Sequence, residues 1–76
     1  MSLNEIAEVV LNENEVNFCI NGEEYLLYGW EQCDGYILSL ESENELVWQS
    51  VSQPKRACID AFKMWYSEVF VEKVEQ

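Results

Sequence analysis

The chain has 76 residues, 49% of them apolar, with three Trp, four Tyr and three Phe, and it carries a formal charge of −11 without a single histidine. That length makes one domain over residues 1–76, and the aromatic content excludes a disordered acidic tail. The charge excludes direct binding to nucleic acid or to an anionic membrane and points to a basic partner.

The charge is unevenly placed. Lys55, Arg56, Lys63 and Lys73 are the only basic residues, and Asp60, Glu68, Glu72 and Glu75 balance them. Residues 1–54 therefore hold the remaining eleven of the fifteen acids (15 − 4), from Glu5 to Glu45, and the entire net charge. A chain this short buries only about 60% of its unfolded surface, so its core must rely on large side chains.

Ser2-Leu3-Asn4-Glu5 fits a capping box, in which Ser2 accepts from the Glu5 amide and Glu5 reaches back to Ser2. Leu3, Ile6, Ala7 and Val10 follow at helical spacing, which predicts a short helix over 3–11. The rival is a strand through Ala7, Val9 and Leu11 that turns at Asn12-Glu13-Asn14. Val16, Phe18 and Ile20 alternate with polar neighbours as in a half-buried strand, and Asn21-Gly22 is a strong hairpin signal.

The chain returns from Tyr25 to Trp30, a run that is apolar on both faces. One face belongs to the core, and the second is expected to pack on the N-terminal helix. The alternative is an exposed aromatic anchor at an interface, where Tyr and Trp are enriched. Asp34-Gly35 marks the next turn. Tyr36, Leu38 and Leu40 form an inward set, Glu41-Ser42-Glu43-Asn44-Glu45 reads as a loop, and Leu46 to Val51 reads as a fourth strand centred on Trp48.

Ser52 fits an N-cap, with Pro54 in the first turn of a helix from about 53 to about 71. Cys58, Ala61, Phe62, Trp65 and Val69 form its apolar stripe, widened by Ile59 and Tyr66. That stripe is expected to cover Val16, Phe18, Ile20, Leu38 and Leu40. Lys63, Glu68 and Glu72 fall towards solvent, and the tail from Glu72 to Gln76 is expected to fray. The fold class is α+β: an antiparallel β-meander of three to four strands, a short N-terminal helix, and one long C-terminal helix packed on one face.

Catalytic and cofactor signatures are lacking. Without histidine the commonest general base and metal ligand is missing. Cys19, Cys33 and Cys58 are an odd set without C-x-x-C spacing, which suits reduced thiols in a cytoplasm better than zinc or a disulfide framework. Asp34 beside Cys33 disfavours its thiolate, and Cys19 and Cys58 read as small residues in or near the core. Glu41, Glu43 and Glu45 lack the turn glycine and Asp-rich pattern of a calcium loop. No motif binds phosphate or a dinucleotide, and no apolar run is long enough to span a membrane. The N-terminus lacks a basic region followed by an apolar run, so no secretory signal is expected.

The acids concentrate near turns. Separated carboxylates on a rigid sheet can imitate the phosphates of a duplex. Their plainer use is to keep an aromatic-rich domain soluble.

A short helix from Leu3 to Leu11, an acidic turn ending in Asp34-Gly35, the segment from Tyr36 to Glu45, and a helix containing Ile59-Asp60-Ala61-Phe62-Lys63 together resemble the small acidic anti-CRISPR proteins of Gram-positive prophages. The likeness runs over residues 1–70. It implies a DNA mimic whose acidic turn occupies the site where a type II effector nuclease reads its short target-adjacent (PAM) duplex with arginines. By position Asp34 and Gly35, with Glu31, match that family's binding turn. The chain departs from the family in its final helix, which carries the basic residues where the family is very acidic, and in the added strand at 46–51.

The expected function is that of a non-enzymatic protein that sets an acidic surface against a basic site of a partner, for instance a nucleic-acid enzyme. Its expected contact residues are Glu23, Glu24, Glu31, Asp34, Gly35, Glu41, Glu43 and Glu45, with no catalytic residue, metal or cofactor. The alternative is an assembly module that forms a homodimer through an aromatic sheet face or edge.

Overall fold

The computed structural model describes residues 2–71, without the side chains at 70 and 71. The expected fraying of Glu72 to Gln76 lies outside the described residues. The order of elements is α1 (Leu3–Glu13), β1 (Glu15–Ile20), β2 (Glu23–Gln32), β3 (Gly35–Ser42), β4 (Glu45–Gln49) and α2 (Lys55–Tyr66), followed by a π-helical turn over Ser67–Val71. The fold is α+β, as the sequence indicates.

The N-terminal helix forms, and the strand alternative for 7–11 does not. Both halves of the capping box are made: Ser2 N donates to Glu5 Oε1 at 3.0 Å, and Glu5 N donates to Ser2 Oγ at 3.2 Å. Ile6, Ala7 and Val10 are buried. Asn14 ends the helix in the left-handed region, with φ 66°, and its amide donates to Val10 O.

The four strands form an antiparallel sheet in the order β1-β2-β3-β4. Asn21 and Gly22, at φ 53° and 83°, make the first turn. The acidic stretch 41–45 is not a loop. Glu41 and Ser42 finish β3 and Glu45 opens β4, so the turn is Glu43-Asn44 alone, at φ 53° and 66°. Two positive φ values suit the right-handed twist of a tight hairpin, and the strands continue almost to its tip. A bulge between Leu40 and Glu41 shifts the pairing of β3 with β4.

Alternation places Val16, Phe18, Tyr25, Leu27, Tyr36, Leu38 and Leu40 on one sheet face, where they form a single core with Ile6, Ala7, Val10, Cys58, Ile59 and Phe62. Both helices therefore lie on the same face. This corrects the expectation that α1 covers the second face of β2. The predicted stripe of α2 also needs adjustment. Phe62 is fully buried and Ile59 is a core residue, whereas Ala61, Trp65 and Ile20 are only half-buried. Phe62 packs against Trp48, Trp65 and Tyr66 at ring-centroid distances of 5.6, 6.3 and 5.8 Å.

The last helix starts later than expected. Tyr36 and Gln53 exchange backbone hydrogen bonds of 2.8 and 3.2 Å, so Gln53 remains sheet-like. The helix begins only when Cys58 N donates to Pro54 O at 3.1 Å. Pro54 occupies the N-cap position, where its missing N–H leaves no helical bond unmade. Ser52 is no cap, since its Oγ is buried without a hydrogen-bond partner among the described residues. The helical run does reach Val71, but it is α-helix only to Tyr66.

A polar junction closes the far end of the core. The Tyr36 ring lies across Gly29, and its hydroxyl donates to Asn14 Oδ1 at 2.9 Å. Lys55 Nζ donates to the same oxygen at 2.7 Å and to Leu11 O at 2.6 Å. The last turn of α1 contains no basic residue. Lys55 therefore supplies the cation that favours a helix C-terminus.

Candidate partner-binding surface

The meander decides where the acids go. In an antiparallel meander the first and third turns share one end of the sheet, and the second turn lies at the other. Glu23 and Glu24 open β2 beside the first turn, while Glu41, Glu43 and Glu45 flank and form the third. These five carboxylates share an end. Glu31, Asp34 and Gly35 sit at the opposite end, roughly 25 Å away along β2 at about 3.3 Å per residue. The eight expected contact residues thus form a cluster of five and a separate group of three.

The cluster is pre-organised. Tyr25 Oη donates to Glu23, and Tyr28 Oη donates to Glu41. Alternation sets Tyr25 on the core face and Tyr28 on the opposite face, so one carboxylate is held on each side of the sheet. Burial, the hydrogen bond to Glu23 and the charges of Glu23 and Glu43 push the Tyr25 phenol up to about 12. The hydrogen bond to Glu41 leads the rise at Tyr28. Ser42 Oγ ties β3 to Glu24 O at 2.9 Å. The cluster spans three strands, about 10 Å at the usual strand spacing. That is close to the Debye length of about 8 Å at physiological salt, so the charges act on a partner together.

The described cations lie elsewhere. Lys55 is held at the opposite end of the sheet by Leu11 and Asn14. Arg56 and Lys63 line a groove between the helices that also includes Glu8 and Asp60.

Glu31 and Asp34 are exposed at the other end, with Glu31 still in β2 and Cys33-Asp34 forming the turn. Gly35 has a packing reason to be glycine. It adopts φ 145°, and a Cβ there would lie 2.8 Å from Gln53 N and 2.9 Å from Ser52 Oγ.

The uncovered sheet face carries Leu26, Tyr28 and Trp30 on β2, with Ile37 paired to Trp30. Tyr28 and Trp30 stack at 5.7 Å between centroids, and Trp30 is 37% exposed. Around them stand Glu15 opposite Tyr28, Glu24 opposite Cys19, and Glu41 opposite Leu26. Ser39 is fully buried on this face and accepts from Gln49 Nε2 at 2.8 Å.

The cysteines do not converge. Cys19 and Cys33 are exposed, so Cys19 is not the near-core residue expected; its register places it on the uncovered face opposite Glu24. Cys58 is buried, with Sγ 3.2 Å from Tyr36 O, and it accepts from Ser50 Oγ at 3.3 Å. Among the described residues no group of three or more His, Cys, Asp or Glu could hold a metal ion, and no helix is long and apolar enough to cross a membrane.

Sequence reasoning missed Tyr25 and Tyr28 as the groups that hold carboxylates, and it left Trp30 undecided between core and surface. The available signal was the two-sided apolar character of 25–30. No family model, curated protein or solved structure matches the chain.

Proposed function

We propose that the chain is a non-enzymatic binding protein that places the five-carboxylate end of its sheet against a basic site of a partner protein. The observation that carries this reading is the convergence of Glu23, Glu24, Glu41, Glu43 and Glu45 on one rigid sheet end, with the described cations held elsewhere. Two of the carboxylates are fixed by phenols, so less conformational freedom is lost on binding. The reading includes mimicry of duplex phosphates and inhibition of a nucleic-acid enzyme in a cytoplasm. The resemblance to anti-CRISPR proteins makes a guide-loaded type II effector nuclease the first partner to test, although the turn that carries the resemblance, Glu31, Asp34 and Gly35, lies at the opposite end of the sheet from the five carboxylates. The chain should compete with PAM-containing duplex and slow DNA cleavage, and Glu43→Lys with Glu45→Lys should relieve the inhibition. Unchanged cleavage at saturating protein would remove that nuclease as the partner.

A second reading, assembly through the uncovered sheet face, rests on the exposure of Trp30. It requires a mass that rises with concentration and falls back on Trp30→Ala.

A further inference from the structure

We infer that the uncovered sheet face belongs to the same interface and takes an arginine-bearing segment of the basic partner, with a guanidinium against the Tyr28–Trp30 stack and its charge facing Glu15 and Glu41. This rests on the acidic-surface reading and names the chemistry that the surface selects.

Tyr28, midway along β2, and Trp30, two residues before its end, form a stacked pair on a sheet face that neither described helix covers. Paired strands hold the backbone, and Tyr28 is further fixed by its hydrogen bond to Glu41. An aromatic face attracts a cation, and a planar guanidinium stacks on it while its N–H groups remain free for carboxylates. The carboxylates are in place: Glu15 is across the ladder from Tyr28, and Glu41 accepts from its hydroxyl. Lysine offers a point charge without the plane, so this face should distinguish the two cations.

A second copy of the chain is a poor occupant. Face-to-face pairing would bring the Glu15, Glu24 and Glu41 of one copy towards those of the other, on chains that each carry −11. A neutral apolar segment would bury the same aromatics but leave those carboxylates without countercharge. Charge complementarity therefore selects a cationic segment, and the aromatic pair selects arginine within that class.

The test uses two short unstructured peptides of equal length and charge, one with alternating Arg and Gly, the other with alternating Lys and Gly. Calorimetry at low salt measures affinity, and two-dimensional NMR follows the backbone amides of residues 26–30 and 37–41 together with the Trp30 indole. The Arg peptide should bind at least about threefold more tightly than the Lys peptide, because only the guanidinium lays its plane on the aromatic pair while its N–H groups reach carboxylates. Its contacts should shift residues 28, 30 and 37. Trp30→Ala should abolish the Arg preference by weakening the Arg peptide more than the Lys peptide, with circular dichroism verifying the fold. Equal affinity for both peptides, or an Arg preference that survives Trp30→Ala, would overturn this inference and leave the acidic end intact. Binding of neither peptide would overturn both readings. Concentration-dependent dimerisation that Trp30→Ala abolishes would assign the face to a second copy.

Discussion

Gly29→Ala tests whether the far end of the core closes as described. A Cβ at position 29 would lie 2.2 Å from Tyr36 Oη and 2.4 Å from its Cζ and Cε2. Ordinary contact needs well over 3 Å, so the Tyr36 ring must move by about an ångström or more. That ring is only 2% exposed, donates to Asn14 and lies 5.2 Å beneath the Lys55 ammonium. Overpacking costs about 1–3 kcal/mol, and loss of the hydrogen bond adds about 1 kcal/mol. The total, about 2–4 kcal/mol, is a large share of the roughly 5–15 kcal/mol that holds a small domain together. Without the ring the sign changes. Glycine inside a strand costs roughly 0.5–1 kcal/mol relative to alanine, so in a Tyr36→Val background Gly29→Ala should be neutral or slightly stabilising. Urea unfolding of the four proteins, followed by circular dichroism, gives the coupling as a double-mutant cycle. Additive effects, with coupling under about 0.5 kcal/mol, would refute the proposed closure.

Three further outcomes are expected. Phe62→Ala should destabilise by about 3–5 kcal/mol in chemical unfolding, because Phe62 is completely buried among Trp48, Trp65 and Tyr66; a loss under about 1 kcal/mol would mean that α2 does not close the core. Ser2→Ala should cost about 1 kcal/mol by removing the capping box, and an unchanged midpoint would contradict the cap. In an alkaline absorbance titration, the phenols of the folded chain should ionise above their ordinary value of 10.0, with Tyr25 near 12. A raised native pKa favours the protonated fold, so this stability is present below pH 10 and is lost as pH rises towards 12. Phenols that titrate alike in the folded and urea-unfolded chains would refute it.

Local chemistry made some elements legible and hid others. The Ser2–Glu5 box and the Asn21-Gly22 turn were readable because each is complete within a few residues. The Glu43-Asn44 turn was not, since a glutamate at φ 53° is not a residue that advertises a tight hairpin. The late start of α2 depends on Gln53 pairing with Tyr36, a partner distant in sequence. Apolar character on both faces of β2 was visible, but it does not say which face the helices choose. The split of the acids was available in principle, because an antiparallel meander sends alternate turns to opposite ends. Nothing in the sequence near Lys55 links it to α1, and only the fold brings it to the end of that helix.

The central claim is that one end of the sheet, rather than net charge, engages the basic partner. Two double reversals separate these. Glu43→Lys with Glu45→Lys alters the clustered end; Glu31→Lys with Asp34→Lys alters the opposite end. Each changes the formal charge from −11 to −7, since every reversal adds two. Calorimetric affinity for the Arg-Gly peptide at physiological salt, where screening confines each charge to about 8 Å, should fall about tenfold for the first pair. It should fall about twofold or less for the second. Equal losses from both pairs would show that total charge governs binding and would contradict a site at the clustered end.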